Sequence, residues 1–226
     1  MTDVIAHRGA SRVELGNTVA AFERAVARGA DGIELDVRRT ADGAVVVHHD
    51  AALSDGRVIV HTPRRDLPFY VPTLADALDA CTGAWVNIEI KNDPREPDFD
   101  PDDPTVDGVL AELRRRGPSE GPWLISSFRL ETLDRSHQLA PEVPTGWLVF
   151  ALDPDTPPML AARGHAAVHP AVSAVDAGVV ERCHAAGLRV NAWTCNDPDW
   201  AQELAGWGVD GIVTDVPGDI LDAFGR

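Results

Sequence analysis

Positive charge is scarce in this chain. Its 226 residues carry 20 Lys and Arg against 36 Asp and Glu, a formal charge of -16 with histidine neutral. Sequence-independent nucleic-acid binding needs a basic footprint along the phosphates, so that balance argues against it. It argues equally against electrostatic attachment to anionic lipid. Cysteine is scarce too. Cys81, Cys183 and Cys195 are far apart, odd in number and without a CxxC pair, so neither a disulfide framework nor a zinc site is expected. No apolar run approaches the ~20 residues that span a bilayer. The opening MTDVIAHRG has no basic region followed by an apolar one, and the expected location is cytoplasmic. Nothing in the pattern speaks to oligomeric state.

What is present is an ordinary globular balance, 44% apolar and 25% charged, in a length that suits one large domain or two small ones. Short apolar, β-branched runs read as strands at Val4–His7, Gly32–Val37, Trp85–Lys91, Trp123–Ser127, Thr145–Val149, Ala166–His169, Arg189–Thr194 and Gly211–Thr214. Helical patterns with readable caps lie between them. Asn17-Thr18 opens a helix whose apolar face is Val19, Phe22, Ala25 and Val26, and Gly29 stands at its C-terminal cap. Pro72-Thr73 opens Leu74–Cys81, Ser173 precedes Ala174–Ala186, and Asn196-Asp197-Pro198 opens a helix ending near Gly206.

Eight βα units call for a parallel sheet, and at this length they suit a single-domain (β/α)8 TIM barrel over residues 1–226, of the α/β class. The size is slightly under the ~250 residues typical of that barrel, so the loops are expected to be short. No linker or longer repeat interrupts the alternation. The Asp- and Pro-rich stretch from Asp93 to Asp107 reads as a solvated loop, because it lacks the spacing of a calcium-binding loop. One segment breaks the rhythm. Asp42-Gly43 between two β-branched stretches predicts a β-hairpin after the second strand. The hairpin brings a residue within 47–49 opposite Asp36, and with it the pair His48-His49.

Glu34 and Asp36 are two apart on one strand and share a face; Glu89 and Lys91 repeat that arrangement on the next barrel strand. All four lie at C-terminal strand ends, where such barrels build their sites. Three carboxylates converging there repel one another unless a cation sits between them, and oxygen ligands suit magnesium, calcium or manganese better than zinc. His7-Arg8-Gly9 ends the first strand. Arg8 offers a planar fork for phosphate oxygens, and Gly9 permits close backbone approach to a ligand. With two histidines for acid and base work, the set is equipped for phosphodiester cleavage.

These residues fall in an ordered series of motifs: Ile5-Ala6-His7-Arg8-Gly9-Ala10-Ser11, Asn17-Thr18, Gly29-Ala30-Asp31-Gly32-Ile33-Glu34-Leu35-Asp36-Val37-Arg38, Thr40-Ala41-Asp42-Gly43 and Val46-Val47-His48-His49-Asp50. Pro72-Thr73-Leu74, Asn87-Ile88-Glu89-Ile90-Lys91, Ile125-Ser126-Ser127-Phe128, Ala192-Trp193-Thr194 and Gly208-Val209-Asp210-Gly211-Ile212-Val213-Thr214-Asp215 follow. The series resembles the glycerophosphodiester phosphodiesterases over almost the whole chain. The resemblance implies a (β/α)8 barrel and metal ligands at Glu34, Asp36 and Glu89, with Mg2+ or Ca2+ as the usual ion and Mn2+ as a further candidate. It implies catalytic histidines at His7 and His49, since the family's histidine directly precedes an aspartate. Arg8 and Lys91 match phosphate-contacting positions. Trp193 matches an aromatic near the pocket, or else a barrel-core tryptophan.

The implied reaction is hydrolysis of a small glycerophosphodiester to an alcohol and sn-glycerol 3-phosphate. One histidine takes a proton from the attacking hydroxyl, for which the glycerol 2-hydroxyl is a candidate. The other protonates the departing alcohol. Two departures from the family pattern stand out. Gly16 replaces the carboxylate of Pro-Glu-Asn-Thr, so that Glu14 or a water is expected to cover part of its role. The segment from Ala51 to Val71 is short, which is expected to leave a more open pocket. The alternatives are a lysophospholipase-D or sphingomyelinase-D-like barrel, a non-catalytic barrel binding a phosphorylated ligand, and a sugar-phosphate isomerase or aldolase. The first is disfavoured by the missing cysteine pairs. The last needs a Schiff-base lysine or a different carboxylate–histidine layout.

Overall fold

The alternation read from the sequence closes on itself. The structure is a computed structural model that describes residues 1–117 and 122–226. The strands are β1 (Asp3–His7), β2 (Gly32–Arg39), β3 (Val45–Val47), β4 (Trp85–Ile90), β5 (Trp123–Ser127), β6 (Thr145–Val149), β7 (Ala167–Pro170), β8 (Arg189–Ala192) and β9 (Gly211–Thr214). The helices are α1 (Val19–Ala27), α2 (Leu74–Ala80), α3 (Pro104–Arg116), α4 (Leu130–Leu139), α5 (Thr156–Ala162), α6 (Ala177–Ala185), α7 (Pro198–Gly206) and α8 (Pro217–Ala223). β1 pairs in parallel with both β2 and β9, and the remaining ladders run β2-β4-β5-β6-β7-β8-β9, also parallel. The result is a closed eight-stranded barrel in one domain, with a helix after every barrel strand.

β3 stands outside the ring. β1 occupies the edge of β2 only along Gly32–Glu34, and β3 takes Val37–Arg39 of the same strand in antiparallel register. The hairpin turns at Thr40–Ala44 with Gly43 at φ +83°, and the His48 N–H reaches the Asp36 carbonyl at 2.9 Å. Asp36 therefore lies opposite His48, inside the window that the sequence allowed.

Outward-facing strand residues pack on the helices. Ile33, Leu35, Ile88 and Ile90 meet Phe22, Leu74, Leu110 and Leu133 on one side; Val168, Val190 and Ile212 meet Val180, Leu204 and Ile220 on the other. Phe22 is fully buried, which is worth about 2–3 kcal/mol in removed apolar surface. The barrel interior is filled by pairing glycine with a large neighbour. A Cβ on Gly32 would meet the Trp85 ring at 2.6 Å, one on Gly146 the His169 ring at 2.6 Å, and one on Gly211 the Asn191 side chain at 2.6 Å.

Three expectations need correction. The sixth helix starts at Ala177, not Ala174: Asp176 accepts from the Val179 N–H at 2.7 Å, while Val172–Ala174 form a separate 3-10 turn. Gly9 makes its close approach to the α1 backbone and not to a ligand position, since a Cβ there would lie 2.5 Å from the Ala21 carbonyl carbon. The Asp93–Asp107 stretch is not simply solvated. Asp103 is buried, the Asp98 side chain is 4% exposed, and Asn92 and Asp100 exchange two hydrogen bonds of 3.0 Å across the loop.

Candidate active site

At the C-terminal mouth of the barrel, strand register sets His7 beside Glu34 and Asp36 beside Glu89. All three carboxylates are buried, and one oxygen of each lies within 4.8 Å of the others. The ammonium of Lys91, the chain's sole lysine, sits 2.9 Å from Asp36 Oδ1 and 2.5 Å from Glu89 Oε1. Arg8 places Nε 3.2 Å from Asp36 Oδ2. Its backbone is left-handed at φ +58°, and its N–H donates to Glu34 Oε2 at 3.0 Å. Such a conformation costs a residue with a Cβ about 1 kcal/mol or more; here it turns the first strand's end toward the carboxylates. Asn17 donates from Nδ2 to Asp36 Oδ2 at 2.7 Å and accepts the Asp36 N–H at 3.3 Å.

Burial and mutual repulsion act on these carboxylates unequally. Burial, and after it the charge of Asp36, hold Glu34 well above the usual carboxylate range. Burial likewise raises Glu89, against the pull of Lys91. Asp36 goes down: burial alone would raise it, but Lys91 and Arg8 outweigh that. Lys91 is held above its ordinary value by Asp36 and Glu89 against its own burial.

The donor set fits a hard divalent cation. Glu34 Oε1 is buried with no hydrogen-bond partner, and the acidic group offers oxygen donors only. With all three carboxylates ionised, as ligands of an ion would be, they exceed Lys91 and Arg8 by one negative charge. A divalent ion converts that to one positive charge, which matches a phosphodiester monoanion. Glu14 lies outside the acidic group found among the described residues.

Each histidine has a carboxylate on its Nδ1. His7 Nδ1 lies 2.6 Å from Asp215 Oδ1, with its Nε2 3.9 Å from Glu34 Oε2. His49 Nδ1 lies 2.7 Å from Asp50 Oδ1. His7 is shifted up: burial lowers it, but the Asp215 hydrogen bond and the Glu34 charge prevail. His49 is shifted down, first by burial, with Lys91 and Arg8 adding to the effect against Asp36. His48 turns its Nδ1 to the Asp50 carbonyl at 2.8 Å.

Two cavities meet at His49. One, of about 420 Å3, is polar, and Arg8, Ser11, Asn17, His48 and Asp215 help to line it. The other, of about 650 Å3, runs from Glu89 and Lys91 out to Phe128 and Phe150. Trp193 is half-buried and packs behind two residues that line this cavity. Its indole N–H donates to the His169 carbonyl at 2.6 Å, and its ring meets Phe128 and Phe150 edge-on at 5.4 and 5.3 Å. Phe150 is 69% exposed beside the cavity.

Asp215, Asn17 and Asp50 were not singled out from sequence. Asp215 had a signal: it is a carboxylate just past the C-terminal end of a barrel strand, β9. Its partner, however, is 208 residues away, and only barrel closure joins them. Asn17 looked like part of a helix cap; Thr18 does the capping, and Asn17 is turned inward at φ +61°.

Residues 7–219 match the family described as the glycerophosphoryl diester phosphodiesterase family. The chain belongs to that family. Its relatives include a glycerophosphodiester phosphodiesterase of Caldanaerobacter subterraneus subsp. tengcongensis, 31% identical over 98% of this chain and 97% of the other. One from Bacillus altitudinis is 32% identical over 96% of both chains. Among solved structures, an Oleispira antarctica phosphodiesterase in complex with the product sn-glycerol-3-phosphate is similar with a TM-score of 0.92 and 30% identity, over 100% of this chain and 98% of that one. This member of the glycerophosphoryl diester phosphodiesterase family is thus an enzyme of the phosphoric diester hydrolase class. No helix among its described residues is long and apolar enough to cross a membrane.

Proposed function

We propose that the enzyme hydrolyses small glycerophosphodiesters to an alcohol and sn-glycerol 3-phosphate, by two-histidine acid–base catalysis beside a divalent ion held by Glu34, Asp36 and Glu89. One observation carries this reading. His7 and His49, each with a carboxylate on Nδ1, converge on a three-carboxylate group flanked by Arg8 and Lys91. The product named for the Oleispira structure supports the substrate class.

When bound, a divalent ion supplies Lewis-acid polarisation of the phosphoryl group and lowers the pKa of a bound hydroxyl; the oxygen donors favour Mg2+ or Ca2+, with Mn2+ as a third candidate. Arg8 and Lys91 bind the remaining phosphoryl oxygens and offset their charge. One histidine accepts at Nε2 the proton of the attacking hydroxyl. The other delivers a proton from Nε2 to the departing alcohol oxygen as its P–O bond breaks. Where the attacker is the glycerol 2-hydroxyl, the product of this step is a cyclic phosphate, which water then opens to glycerol 3-phosphate with the histidine roles reversed. Asp215 and Asp50 hold each Nδ1 protonated, which fixes the ring orientation and stabilises the imidazolium. Phe128 and Phe150, backed by Trp193, offer the alcohol arm an apolar surface at the cavity's outer end.

The test is release of glycerol 3-phosphate from the choline, ethanolamine, glycerol and inositol diesters, with magnesium, calcium and manganese in turn. Turnover of at least one diester, dependent on added metal, is expected. Silence with every diester and metal would leave a phosphate-binding barrel in place of an enzyme. Turnover of lysophospholipids alone would move the chain to the lysophospholipase-D class.

A further inference from the structure

Arg38 is the fourth inward residue of β2, after Gly32, Glu34 and Asp36, and its side chain is 1% exposed. All of its charge is used inside the protein. Nε and Nη2 both donate to the backbone carbonyl oxygen of His49, at 2.8 and 2.6 Å. Nη2 also donates to the Glu96 carboxylate at 2.9 and 3.0 Å, and Nη1 donates to Asp98 Oδ2 at 2.5 Å. One guanidinium thus joins the histidine loop to the acidic loop that follows β4.

Among the described residues, few other hydrogen bonds hold the His49 segment. The β2–β3 ladder pairs no residue beyond Val47, and its last bond is the His48 N–H to Asp36. The other fixed point is the ring's bond to Asp50, whose side chain is 75% exposed. A water-exposed pair of this kind contributes little rigidity. The Arg38 fork is the buried hold, and it acts on the peptide from which the imidazole projects. Its carboxylate partners are anchored in turn. Asn92 and Asp100 bind each other across the loop, and Asp103 at its end accepts from Thr132. A buried ion pair is a weak stabiliser of a fold, because desolvation offsets most of its attraction. What this one supplies is a fixed position.

We propose that Arg38 is a positioning residue: with Glu96 and Asp98 it sets the placement of His49, and through His49 the rate of the chemical step. The inference rests on the role given to His49 above. A misplacement of about 1 Å at a reacting group costs about 10²-fold in rate, so loss of the fork is expected to appear in kcat and not in KM.

Three variants test this with the metal-supplemented full chain: Arg38→Met, Arg38→Lys, and the double change Glu96→Gln with Asp98→Asn. Arg38→Met is expected to lower kcat about 10- to 100-fold with KM within about 3-fold. Arg38→Lys keeps the charge but cannot donate twice to one carbonyl while holding both carboxylates; it is expected to recover only part of the loss. It also decides the matter if Arg38→Met fails to fold. The double change frees Arg38 from its loop and is expected to lower kcat by about 10-fold. In a His49→Ala background Arg38→Met is expected to cost nothing further, because a residue acting through His49 has nothing left to act on. An independent readout is the nitrogen NMR titration of the His49 ring, expected to shift in Arg38→Met. Unchanged kcat in folded Arg38→Lys, or a full Arg38→Met effect in the His49→Ala background, overturns the proposal. If the wild-type chain turns over no diester, the proposed function fails, and the His49 ring signal still decides whether Arg38 positions it.

Discussion

His48 and His49 are neighbours in sequence with the same chemistry, yet only one of them faces the carboxylates. The charges of Asp36, Lys91 and Arg8 act on His49, whereas His48 is turned to the Asp50 carbonyl. His7→Ala and His49→Ala are each expected to lower turnover by about 10²-fold or more, the usual reach of acid–base catalysis. His48→Ala is expected to leave it within a few-fold. Steady-state kinetics on the best diester checks this; a dead His48→Ala would place the hairpin one residue out of register. A third histidine acts on stability. His169 is buried at 1% exposure, accepts from Asn191 Nδ2 at Nε2, and is pushed down to about 3 by burial. Its folded form stays neutral while the unfolded chain takes up a proton below about pH 6.5. Stability is therefore fully present above that pH. It falls by up to about 1.4 kcal/mol per unit as the pH drops from 6.5 toward 3. In urea unfolding, the change in stability from pH 7 to pH 5 is expected to be about 2 kcal/mol less favourable for the wild type than for His169→Asn; equal changes would mean that His169 titrates normally.

Among the elements, local signals were reliable wherever one residue type has one use. Thr18 caps α1, Thr73 forms a capping box with Asp76, and Asp197 caps α7, each as the spacing indicates. The start of α6 was misread because Ser173 and Asp176 are both good caps, and the choice depends on where the 3-10 turn at Val172–Ala174 ends. The acidic loop was misread for a related reason. Asp and Pro in series look solvated, and nothing local reveals that a guanidinium on another strand will need Glu96 and Asp98. In the loop from Arg8 to Asn17 the missing carboxylate is a property of the element. A Cβ on Gly16 would lie 3.2 Å from Arg8 Cβ and 3.3 Å from Ser11 Cβ, so a longer side chain fits only if Arg8 gives way slightly. Gly16→Glu is expected to tighten metal binding about 10-fold, the scale of a supporting polar contact, as read by titration calorimetry. Unchanged affinity together with unchanged turnover would remove any role for this position.

At the scale of the whole molecule, the interior of the barrel is filled by glycines facing large neighbours. Gly146→Ala sets a methyl 2.6 Å from Nε2 of the buried His169. It is expected to cost about 1–3 kcal/mol by overpacking, measured by chemical denaturation at pH 7; a neutral result would show that the ring can shift. Overall charge takes on its meaning at the same scale. The excess of 16 negative charges argues against large polyanions, yet the mouth gathers Arg8, Lys91 and two histidines around three carboxylates. A divalent ion there inverts the local field for one small anion.

The sequence by itself determined what depends on residues a few positions apart. These are the eight βα units, most of the caps, the hairpin at Asp42-Gly43, and the placing of Glu34, Asp36, Glu89 and Lys91 in same-face pairs at strand ends. Only the tertiary structure decided the contacts made by closing the ring and by packing the loop after one strand against its neighbour. His7 meets Asp215 across 208 residues, and Arg38 reaches Glu96 across 58. Strand alternation is a local steric property of the backbone. Which side chains face one another across the mouth follows from register around the whole barrel, and no short stretch of chain encodes it.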